Sequence, residues 1–566
     1  MKIPSFNKLV SENLTPHSLK DCTVVIDGQN YLYRLYEESK LPYTYGCESD
    51  NYADYLRKYL DIFKRANVDC YFIFKGGHEN KEKMFDKYTK VNKAFTPPIF
   101  MKEIYKQVLE EMGFNYTICT FESKKECIAF AQKNNCPVIS NDTEFCFSSI
   151  TYIPYTSMRF NEETAAIDCG LFTIGNFMLK YQLTKEKMAM FVAVTSEIYK
   201  CIPREYFYKF QKLARISTKN MYERNVSMLN WLRKTKENDA EKGILQNAVL
   251  SKYFAAKREV CNLIEEQKAP GIPTEYLENE NKIEIADNDP LWFDKGVAAK
   301  HIAIPLVNLF HHHTIFGSPI KTDIEDQDAV LLSIEIIKYI SNLLTNFERQ
   351  EITFYTNKHN ISVTLTDSVQ KPNYIANHSA FENGWMHLPP GLFEHFLTES
   401  LQGFEFEQLD NLPEDSKLLM ITLTYFSRKK KDVDVSNEVY CVLLSYTVLS
   451  ANIDEKRMAL HSLRKYLEKG SGGDLFVSPS SGLFPLVEFQ HCLEIMNYLN
   501  KLCGKPYQPT VYSKTYNGTL VYKMLRATKS ESVNFVDLLE SDLAPVTNVL
   551  DSFRLHVDIY RQLIKN

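Results

Sequence analysis

Five acidic residues in the first 200 positions of this 566-residue chain follow runs that predict strands or an apolar helix. They are Asp27, Glu122, Asp142, Glu144 and Glu197. Because ligands of a parallel α/β sheet bind beyond the carboxyl ends of its strands, we expect these carboxylates to face one crevice. Clustered carboxylates repel one another unless cations such as Mg²⁺ or Mn²⁺ neutralise them. Two such ions activate water for phosphodiester hydrolysis, so the pattern predicts nuclease chemistry.

Each of these carboxylates has a simpler explanation when it is taken alone. Asp27 precedes Gly28, and Asp-Gly is a common turn dipeptide. An acidic residue before a helix is often its N-cap. The prediction of a shared site therefore depends on the placement of the acidic residues after successive strands.

Alternating strand and helix patterns supply the elements that position these residues. Buried strands are predicted by short runs of β-branched and aromatic residues at 23–26, 69–74, 116–121 and 137–140. Apolar residues at helical spacing lie between these runs, as in 52–63 and 104–112. Such alternation predicts a parallel sheet with helices on both faces.

Charge and composition divide the chain into four predicted parts. Residues 1–200 hold the α/β domain, and residues 201–268 form a basic helical extension. Residues 269–298 are acidic and contain Pro and Gly, which is typical of a linker or a long surface loop. Residues 299–566 contain apolar helical patterns separated by polar loops, which predicts a mostly α-helical domain.

The basic extension is the best candidate for a nucleic-acid surface. Residues 200–236 hold ten Lys or Arg and two Glu, with aromatic residues between them. The predicted nucleic-acid contacts are Lys209, Lys212, Arg215, Lys219, Arg224, Arg233, Lys234 and Lys236. Such cations contact phosphates while aromatic rings stack on exposed bases. The alternative is a helical hairpin with basic outer faces and an aromatic core.

The bulk composition excludes several classes of protein. A hydrophobic content of 44% without low-complexity tracts is typical of a globular protein. The 13 cysteines include no C-x-x-C pair, so reduced core thiols are expected. The first ten residues lack a signal-peptide core, and no apolar run is long enough to span a membrane. We expect an intracellular protein, nuclear or cytoplasmic, without a membrane partner.

Four segments carry a family resemblance. Residues 25–33 read VIDGQNYLY and residues 71–77 read YFIFKGG. Glu122 is followed by the run CIAFA at 127–131. Residues 135–145 read NCPVISNDTEF and are the most specific of the four. Together these segments resemble the asteroid branch of the XPG/flap-endonuclease superfamily of PIN-like nucleases.

The resemblance implies a PIN/flap-endonuclease-like α/β domain followed by an asteroid-type helical region. It also implies endonuclease action on single-stranded or overhang DNA in DNA repair, with Mg²⁺ or Mn²⁺ as the cofactor. The catalytic residues and metal ligands would then be Asp27, Glu122, Asp142, Glu144 and Glu197.

Two positions depart from the family pattern. Active relatives have a metal-binding Asp where this chain has Lys75, and a second acidic residue where it has Lys124. Of seven expected carboxylates five remain, so the formal charge of these positions is −3 rather than −7. We hypothesise that the two ammonium groups replace metal ions as internal counter-charges. The alternative is that both are ordinary solvent-facing lysines.

Three functions remain open at this point. The first is a nucleic-acid-binding protein with a degenerate, weak or inactive metal site, whose partner is single-stranded or overhang DNA or RNA. The second is an active Mg²⁺- or Mn²⁺-dependent structure-specific endonuclease. The third is a non-catalytic scaffold, active in signalling, whose C-terminal helices bind a protein partner.

Overall fold

The structure is a computed structural model. It describes residues 2–43, 45–82, 84–85, 97–217, 219–279, 282, 289–320, 328–348, 351–355, 360–364, 380–381, 383–430, 433–468, 483–530 and 535–565. No helix among these residues has the length and apolar character needed to cross a membrane.

The N-terminal part of the chain contains a parallel sheet and a smaller antiparallel sheet. The strands of these two sheets are β1 (Thr15–Leu19), β2 (Cys22–Asp27), β3 (Val68–Phe74), β4 (Asn115–Ile118), β5 (Val138–Ser140), β6 (Tyr152–Pro154), β7 (Arg159–Asn161) and β8 (Ala166–Leu171). Five strands pair in parallel in the order β4-β3-β2-β5-β6. The other three form an antiparallel sheet in the order β1-β8-β7. The predicted parallel sheet is confirmed, with β6 as a strand that the sequence pattern did not reveal.

The direction in which strands are added reverses between β2 and β5. The chain places β3 and β4 on one side of β2, then returns to place β5 and β6 on the other side. Val25 and Ile26 pair with Val138 and Ile139 across this junction. In a parallel sheet a crevice opens at the carboxyl ends of the two strands that flank such a reversal.

Helices cover both faces of the sheet. In the α/β region they are α1 (Phe6–Ser11), α2 (Gly28–Ser39), α3 (Ser49–Arg65), α4 (Met101–Glu111), α5 (Lys124–Asn134), α6 (Ile174–Tyr181) and α7 (Lys185–Thr195). Since side chains alternate along a strand, Val24 and Ile26 enter a core with α3 and α4. Val25 enters a second core on the opposite face, with α5 and α7.

The helices that follow extend the second core. They are α8 (Arg204–Ala214), α9 (Met221–Lys234), α10 (Glu237–Leu245), α11 (Leu250–Glu265), α12 (Ile272–Glu278) and α13 (Trp292–Ala298). Phe210, Met228 and Tyr253 are fully buried in the core that contains Val25. Helices α12 and α13 lie within 269–298, so part of the stretch expected to be a linker is packed helix. The limits of the four parts remain a prediction.

The C-terminal region is mostly helical, as predicted. Its helices are α14 (Ile304–His312), α15 (Ile334–Leu344), α16 (Leu392–Ser400), α17 (Glu414–Lys429), α18 (Ser436–Ser450), α19 (Ile453–Ser462), α20 (Arg464–Glu468), α21 (Phe484–Leu502), α22 (Gly518–Ser530), α23 (Phe535–Leu543) and α24 (Thr547–Lys565). A small sheet in the order β11-β10-β9 was not predicted. Its strands are β9 (Thr314–Phe316), β10 (Glu351–Tyr355) and β11 (Asn360–Thr364). The helices share the core that contains Val24 and Ile26.

A charge cluster joins α4 to α21 across this shared core. Glu103 lies 2.5 Å from Lys106 and 3.3 Å from Lys501, measured from carboxylate oxygen to Nζ. Burial works against the ionised form of Glu103, but the two ammonium groups outweigh it and lower its pKa to about 2. Glu494 accepts a hydrogen bond of 2.8 Å from the Tyr498 hydroxyl. Burial, together with the charge of Glu103, raises the pKa of Glu494 to about 8.

We expect Glu494→Gln to remove a pH dependence of stability. Between about pH 4.5 and pH 8 the folded protein retains a proton on Glu494 that the unfolded chain has lost, so the unfolding free energy falls as pH rises. Glu103 titrates below this window. Gln keeps the hydrogen bond from Tyr498 without this penalty, so the variant should be more stable than wild type at pH 7.5 by up to about 4 kcal/mol. Urea unfolding at pH 5 and pH 7.5 measures the difference, and equal pH slopes would contradict the prediction.

Candidate active site at the ends of β2 and β5

Asp27 and Asp142 meet at the crevice where the strand order reverses. Asp27 ends β2 and caps α2, with its Oδ1 accepting a hydrogen bond of 3.5 Å from the amide of Asn30. The Ser140 hydroxyl donates to Asp27 Oδ2 at 2.9 Å. The same hydroxyl oxygen accepts from the amide of Asp142 at 3.0 Å. Ser140 therefore links the end of β2 to the loop after β5.

The surroundings of Asp27 favour its protonated form. The side chain is almost completely buried. Burial, with a smaller contribution from the charge of Asp142, raises its pKa to about 6, although the Ser140 hydrogen bond and the charge of Lys124 act in the opposite direction. A nearby cation would stabilise the ionised form of this buried carboxylate.

Lys124 is the cation that the structure places beside these carboxylates. It is the first residue of α5, and its Nζ lies 2.7 Å from Asp142 Oδ2 and also contacts Glu144. Burial disfavours the charged lysine, but the two carboxylates outweigh it and raise the pKa of Lys124. Burial likewise opposes ionisation of Glu144, yet the charge of Lys124 lowers its pKa. Lys124 and Glu144 therefore stabilise each other's ionised forms.

Lys75 forms the second lysine–carboxylate pair. It directly follows β3, is mostly buried, and contacts Glu122 through its Nζ. The backbone after Lys75 holds this pair together. The amide of Gly76 donates to the carbonyl of Phe121, and the amide of Gly77 donates to the carbonyl of Thr120, both at 2.9 Å. Lys75 and Lys124 therefore both contact carboxylates, which differs from the alternative in which they are simple solvent-facing lysines.

Glu197 and Glu126 have partners outside these two pairs. Glu197 is half-exposed and lies 3.5 Å from the Nζ of Lys2, while its amide donates to the carbonyl of Lys2 at 2.8 Å. Glu126 accepts hydrogen bonds from the amide of Gly271 and the hydroxyl of Thr274, at 3.1 and 2.9 Å, at the start of α12. Glu126 therefore stabilises the beginning of that helix.

The side chains present do not fit a divalent metal ion. Of the predicted ligands, Asp27, Asp142 and Glu144 gather near Lys124, whose ammonium contacts the latter two. Glu122 is paired with Lys75. Within the part of the chain that the structure describes, no three His, Cys, Asp or Glu side chains form a group suited to a metal ion. A cation placed among these carboxylates would meet the ammonium of Lys124 at close range.

Sequence reasoning missed the polar residues that connect the predicted ones. Ser140 links the two strand ends, and Asn30 Oδ1 accepts a hydrogen bond of 3.1 Å from the amide of Asn141. Both residues stand inside the segments that carry the family resemblance. In the sequence, Asn30 lies three residues after Asp27 and Ser140 lies two residues before Asp142. This closeness could have indicated that they hold the loops together.

The basic extension combines an exposed charged surface with an internal aromatic cluster. The exposed cations among the predicted contacts are Lys209, Lys212, Arg215, Lys219, Arg233, Lys234 and Lys236. Arg224 differs, because its guanidinium is partly buried and stacks 3.9 Å from the centre of the Phe207 ring. Phe210 is buried against Trp231 with ring centres 5.6 Å apart, whereas Tyr208 is exposed beneath the Lys212 ammonium. The internal aromatic cluster agrees with the helical-hairpin alternative, and the nucleic-acid contacts remain a prediction.

Two protein families match parts of the chain. The model described as XPG N-terminal domain matches residues 1–94. The model described as Asteroid N-terminal domain matches residues 485–566, at the other end of this chain.

Similar proteins carry the same family names. A Danio rerio protein named "Single-strand DNA endonuclease ASTE1" is 20% identical over 555 residues, which cover 90% of this chain and 79% of that protein. The Mus musculus protein of the same name is 20% identical, over 91% of this chain and 84% of its own length. The Drosophila melanogaster protein named "Protein asteroid" is 28% identical over 26% of this chain and 18% of its own length.

Solved structures give a weaker comparison. The catalytic core of Rad2 in complex with DNA substrate aligns with 14% identity and a TM-score of 0.30, over 48% of this chain and 90% of that one. A TM-score this low carries no argument of its own. The two family models and the relatives of similar length show that the chain is similar to asteroid-like proteins of the XPG/flap-endonuclease superfamily.

Proposed function

We propose that this protein binds single-stranded or overhang DNA, in the nucleus or the cytoplasm, through a nuclease fold in which lysine side chains replace the metal ions. The observation that carries the proposal is the ammonium of Lys124, which contacts Asp142 and Glu144 at the crevice between β2 and β5. The names of the relatives support single-stranded DNA as the substrate class.

A lysine balances charge without supplying the chemistry of a divalent ion. Lys124 and Lys75 neutralise part of the carboxylate charge, which reduces the repulsion between the carboxylates. An ammonium cannot coordinate a phosphoryl oxygen, and it does not lower the pKa of a bound water as a metal ion does. On this proposal the ammonium groups offset part of the carboxylate charge but supply no Lewis acid, which supports weak or absent hydrolysis.

The exposed cations of α8 and α9 support DNA binding. Lys209 and Lys212 are exposed on α8, and the exposed Arg215 directly follows that helix. The ammonium of Lys212 lies over the exposed ring of Tyr208, 4.6 Å from its centre. Side chains of this kind contact phosphates, and an exposed tyrosine offers a face for base stacking. Overhang DNA would place its single-stranded part on this surface.

We expect the triple variant Lys209→Ala/Lys212→Ala/Arg215→Ala to weaken binding of a labelled oligo(dT). Each lost phosphate contact reduces the slope of log K against log salt by about 0.7 for a single strand, so the slope should fall by about 2. Fluorescence anisotropy at salt concentrations from about 50 to about 300 mM measures this slope.

The matched control removes three other exposed lysines, Lys58, Lys514 and Lys565, by substitution with Ala. This variant has the same change in net charge and should bind like wild type. Equal losses in both variants would indicate non-specific attraction. If wild type shows no salt-dependent binding, the nucleic-acid proposal is wrong and the scaffold hypothesis is favoured.

The second candidate function is an active endonuclease, which the names of the relatives favour. On this hypothesis Asp142 is needed for cleavage. Purified wild type would cleave overhang DNA in the presence of Mn²⁺, and Asp142→Ala would abolish that cleavage. Cleavage that persists in Asp142→Ala would point to a contaminating nuclease.

A further inference from the structure

A cavity of about 470 Å³ lies at the amino-terminal edge of the parallel sheet. Its volume falls in the range of small-molecule sites, about 300 to 1,000 Å³. Cys136 precedes β5 and Thr151 precedes β6, and both residues line the cavity. Strands β2, β5 and β6 are parallel, so this amino-edge cavity and the crevice between β2 and β5 lie on opposite edges of the sheet.

Uncharged polar side chains line the amino-edge cavity. They belong to the end of α5, the loop before β6, the start of α6 and the segment after α11, and they are Gln132, Asn135, Ser149, Thr151, Thr173 and Gln267. The described residues that line the cavity include no Asp, Glu, Lys, Arg or His. Burial raises the pKa of the Cys136 thiol to about 12, so this thiol is also uncharged at neutral pH. The cavity therefore offers hydrogen bonds without formal charge.

Gln132 connects two of the lining segments. Its Nε2 donates to the hydroxyl of Ser149 at 3.0 Å and to the carbonyl of Glu266 at 3.2 Å. Its Oε1 accepts a hydrogen bond of 2.8 Å from the amide of Lys268. Gln267 stands between Glu266 and Lys268, so these contacts fix its backbone at the cavity.

Two other carboxamides at the cavity are open to a ligand. Asn135 and Gln267 are exposed, and neither side chain hydrogen-bonds to another residue in the part of the chain that the structure describes. A carboxamide places a donor and an acceptor side by side, which matches the N6 and N7 edge of adenine. Either side chain can therefore form a paired contact with that base.

Apolar side chains supply contacts for the faces of a flat ring. Ile150 and Ile174 are buried at the cavity, and Met178 and Ile264 are half-buried there. Proteins that take up a single base hold it between apolar or aromatic side chains, and a thioether packs well against an aromatic ring. A phosphate group in this cavity would lack the Lys or Arg partner that such anions usually have.

We propose that the amino-edge cavity binds an adenine base, with Asn135 or Gln267 paired to its N6 and N7 edge. The base is that of a free nucleoside or of an unpaired strand. This inference goes beyond the proposed function and does not rest on it, because the cavity and the crevice lie on opposite edges of the sheet.

The test is calorimetry of the full-length protein with adenosine. Adenosine should bind, ribose should not, and 7-deazaadenosine, which lacks the N7 acceptor, should bind at least about 5-fold more weakly than adenosine. Asn135→Ala/Gln267→Ala should weaken adenosine binding by about 5- to 150-fold, the range for one bidentate carboxamide–adenine pair. Asn7→Ala/Gln246→Ala removes two exposed carboxamides outside the cavity and is the matched control, with no expected effect.

A second variant narrows the cavity without removing a polar group. Gly175 lines the cavity, and a β-carbon at this position would meet no atom within 4 Å. A leucine therefore has room there, and Gly175→Leu should abolish adenosine binding while leaving oligo(dT) binding as in wild type.

The outcomes decide the inference and the source of the base. Adenosine binding that is unchanged in both cavity variants, or equal affinities for adenosine and 7-deazaadenosine, would overturn it. If adenosine alone does not bind, a preference for oligo(dA) over oligo(dT) that disappears in Gly175→Leu would support a strand as the source of the base. The absence of both adenosine binding and that preference would show that the inference is wrong.

Discussion

The double variant Lys75→Asp/Lys124→Glu should bind Mn²⁺ far more tightly than the wild-type protein. The two substitutions remove the ammonium groups that contact Glu122, Asp142 and Glu144 and put carboxylates in their place. The formal charge of the seven positions then becomes −7 instead of −3. Carboxylates packed this closely are stable in the ionised form only with a cation, so metal binding offsets their repulsion.

Calorimetry measures the binding, and thermal unfolding gives an independent readout. A ligand that binds only the folded state stabilises it by about 2.7 kcal/mol at a concentration 100 times its Kd. Mn²⁺ should therefore raise the unfolding temperature of the double variant and leave that of wild type unchanged. Without Mn²⁺ the variant should be less stable than wild type, because its buried carboxylates have lost their counter-charges.

The control for this experiment carries the same change of charge elsewhere. Lys58→Glu/Lys514→Asp alters two exposed lysines and should create no Mn²⁺ site. Tight binding of Mn²⁺ by wild type would contradict the replacement of metal by lysine and would justify a cleavage screen on overhang DNA. Binding by neither protein would show that the carboxylates do not form a common site.

The second large effect is expected from Gly76→Ala. A β-carbon on Gly76 would lie 2.0 Å from the carbonyl oxygen of Cys119 and 2.4 Å from that of Thr120. Both atoms belong to backbone that pairs with residues 74–77, so neither can move away without breaking hydrogen bonds. We expect a loss of about 3 kcal/mol or more in the unfolding free energy.

Circular dichroism during urea unfolding measures this loss for Gly76→Ala. Gly175→Ala is the matched control, because nothing lies within 4 Å of its new β-carbon and the residue is in helix α6. That substitution should change stability by less than about 1 kcal/mol. A Gly76→Ala protein as stable as wild type would show that the loop carrying Lys75 tolerates a wider separation from residues 119–121.

The sequence pattern predicted that acidic residues at neighbouring strand ends would lie close together, and the structure places Asp27 and Asp142 at one crevice. Asp27 and Asp142 converge because parallel strands expose their carboxyl ends on one edge, and this follows from pattern alone. The pairing of Lys124 with Asp142 and Glu144 could not be predicted, because it depends on where α5 begins relative to the loop after β5. The contact between Glu197 and Lys2 joins residues 195 positions apart, beyond the reach of local patterns.

The helical extension shows a similar limit. Spacing predicted helices, but it could not tell which aromatic side chains would face outward. Phe210 and Trp231 pack together, while Tyr208 is exposed, because α10 and α7 cover one side of α8 and α9 and leave the other open.

The two cores on opposite faces of the sheet affect how the protein can be divided for study. Val24 and Ile26 are covered by a core that includes helices from the C-terminal half of the chain. A fragment that stopped at residue 200 would keep every acidic residue of the crevice but would leave apolar side chains on one side of the sheet in contact with water. Such exposure promotes aggregation. An inactive fragment would therefore reveal nothing about the chemistry of the intact chain.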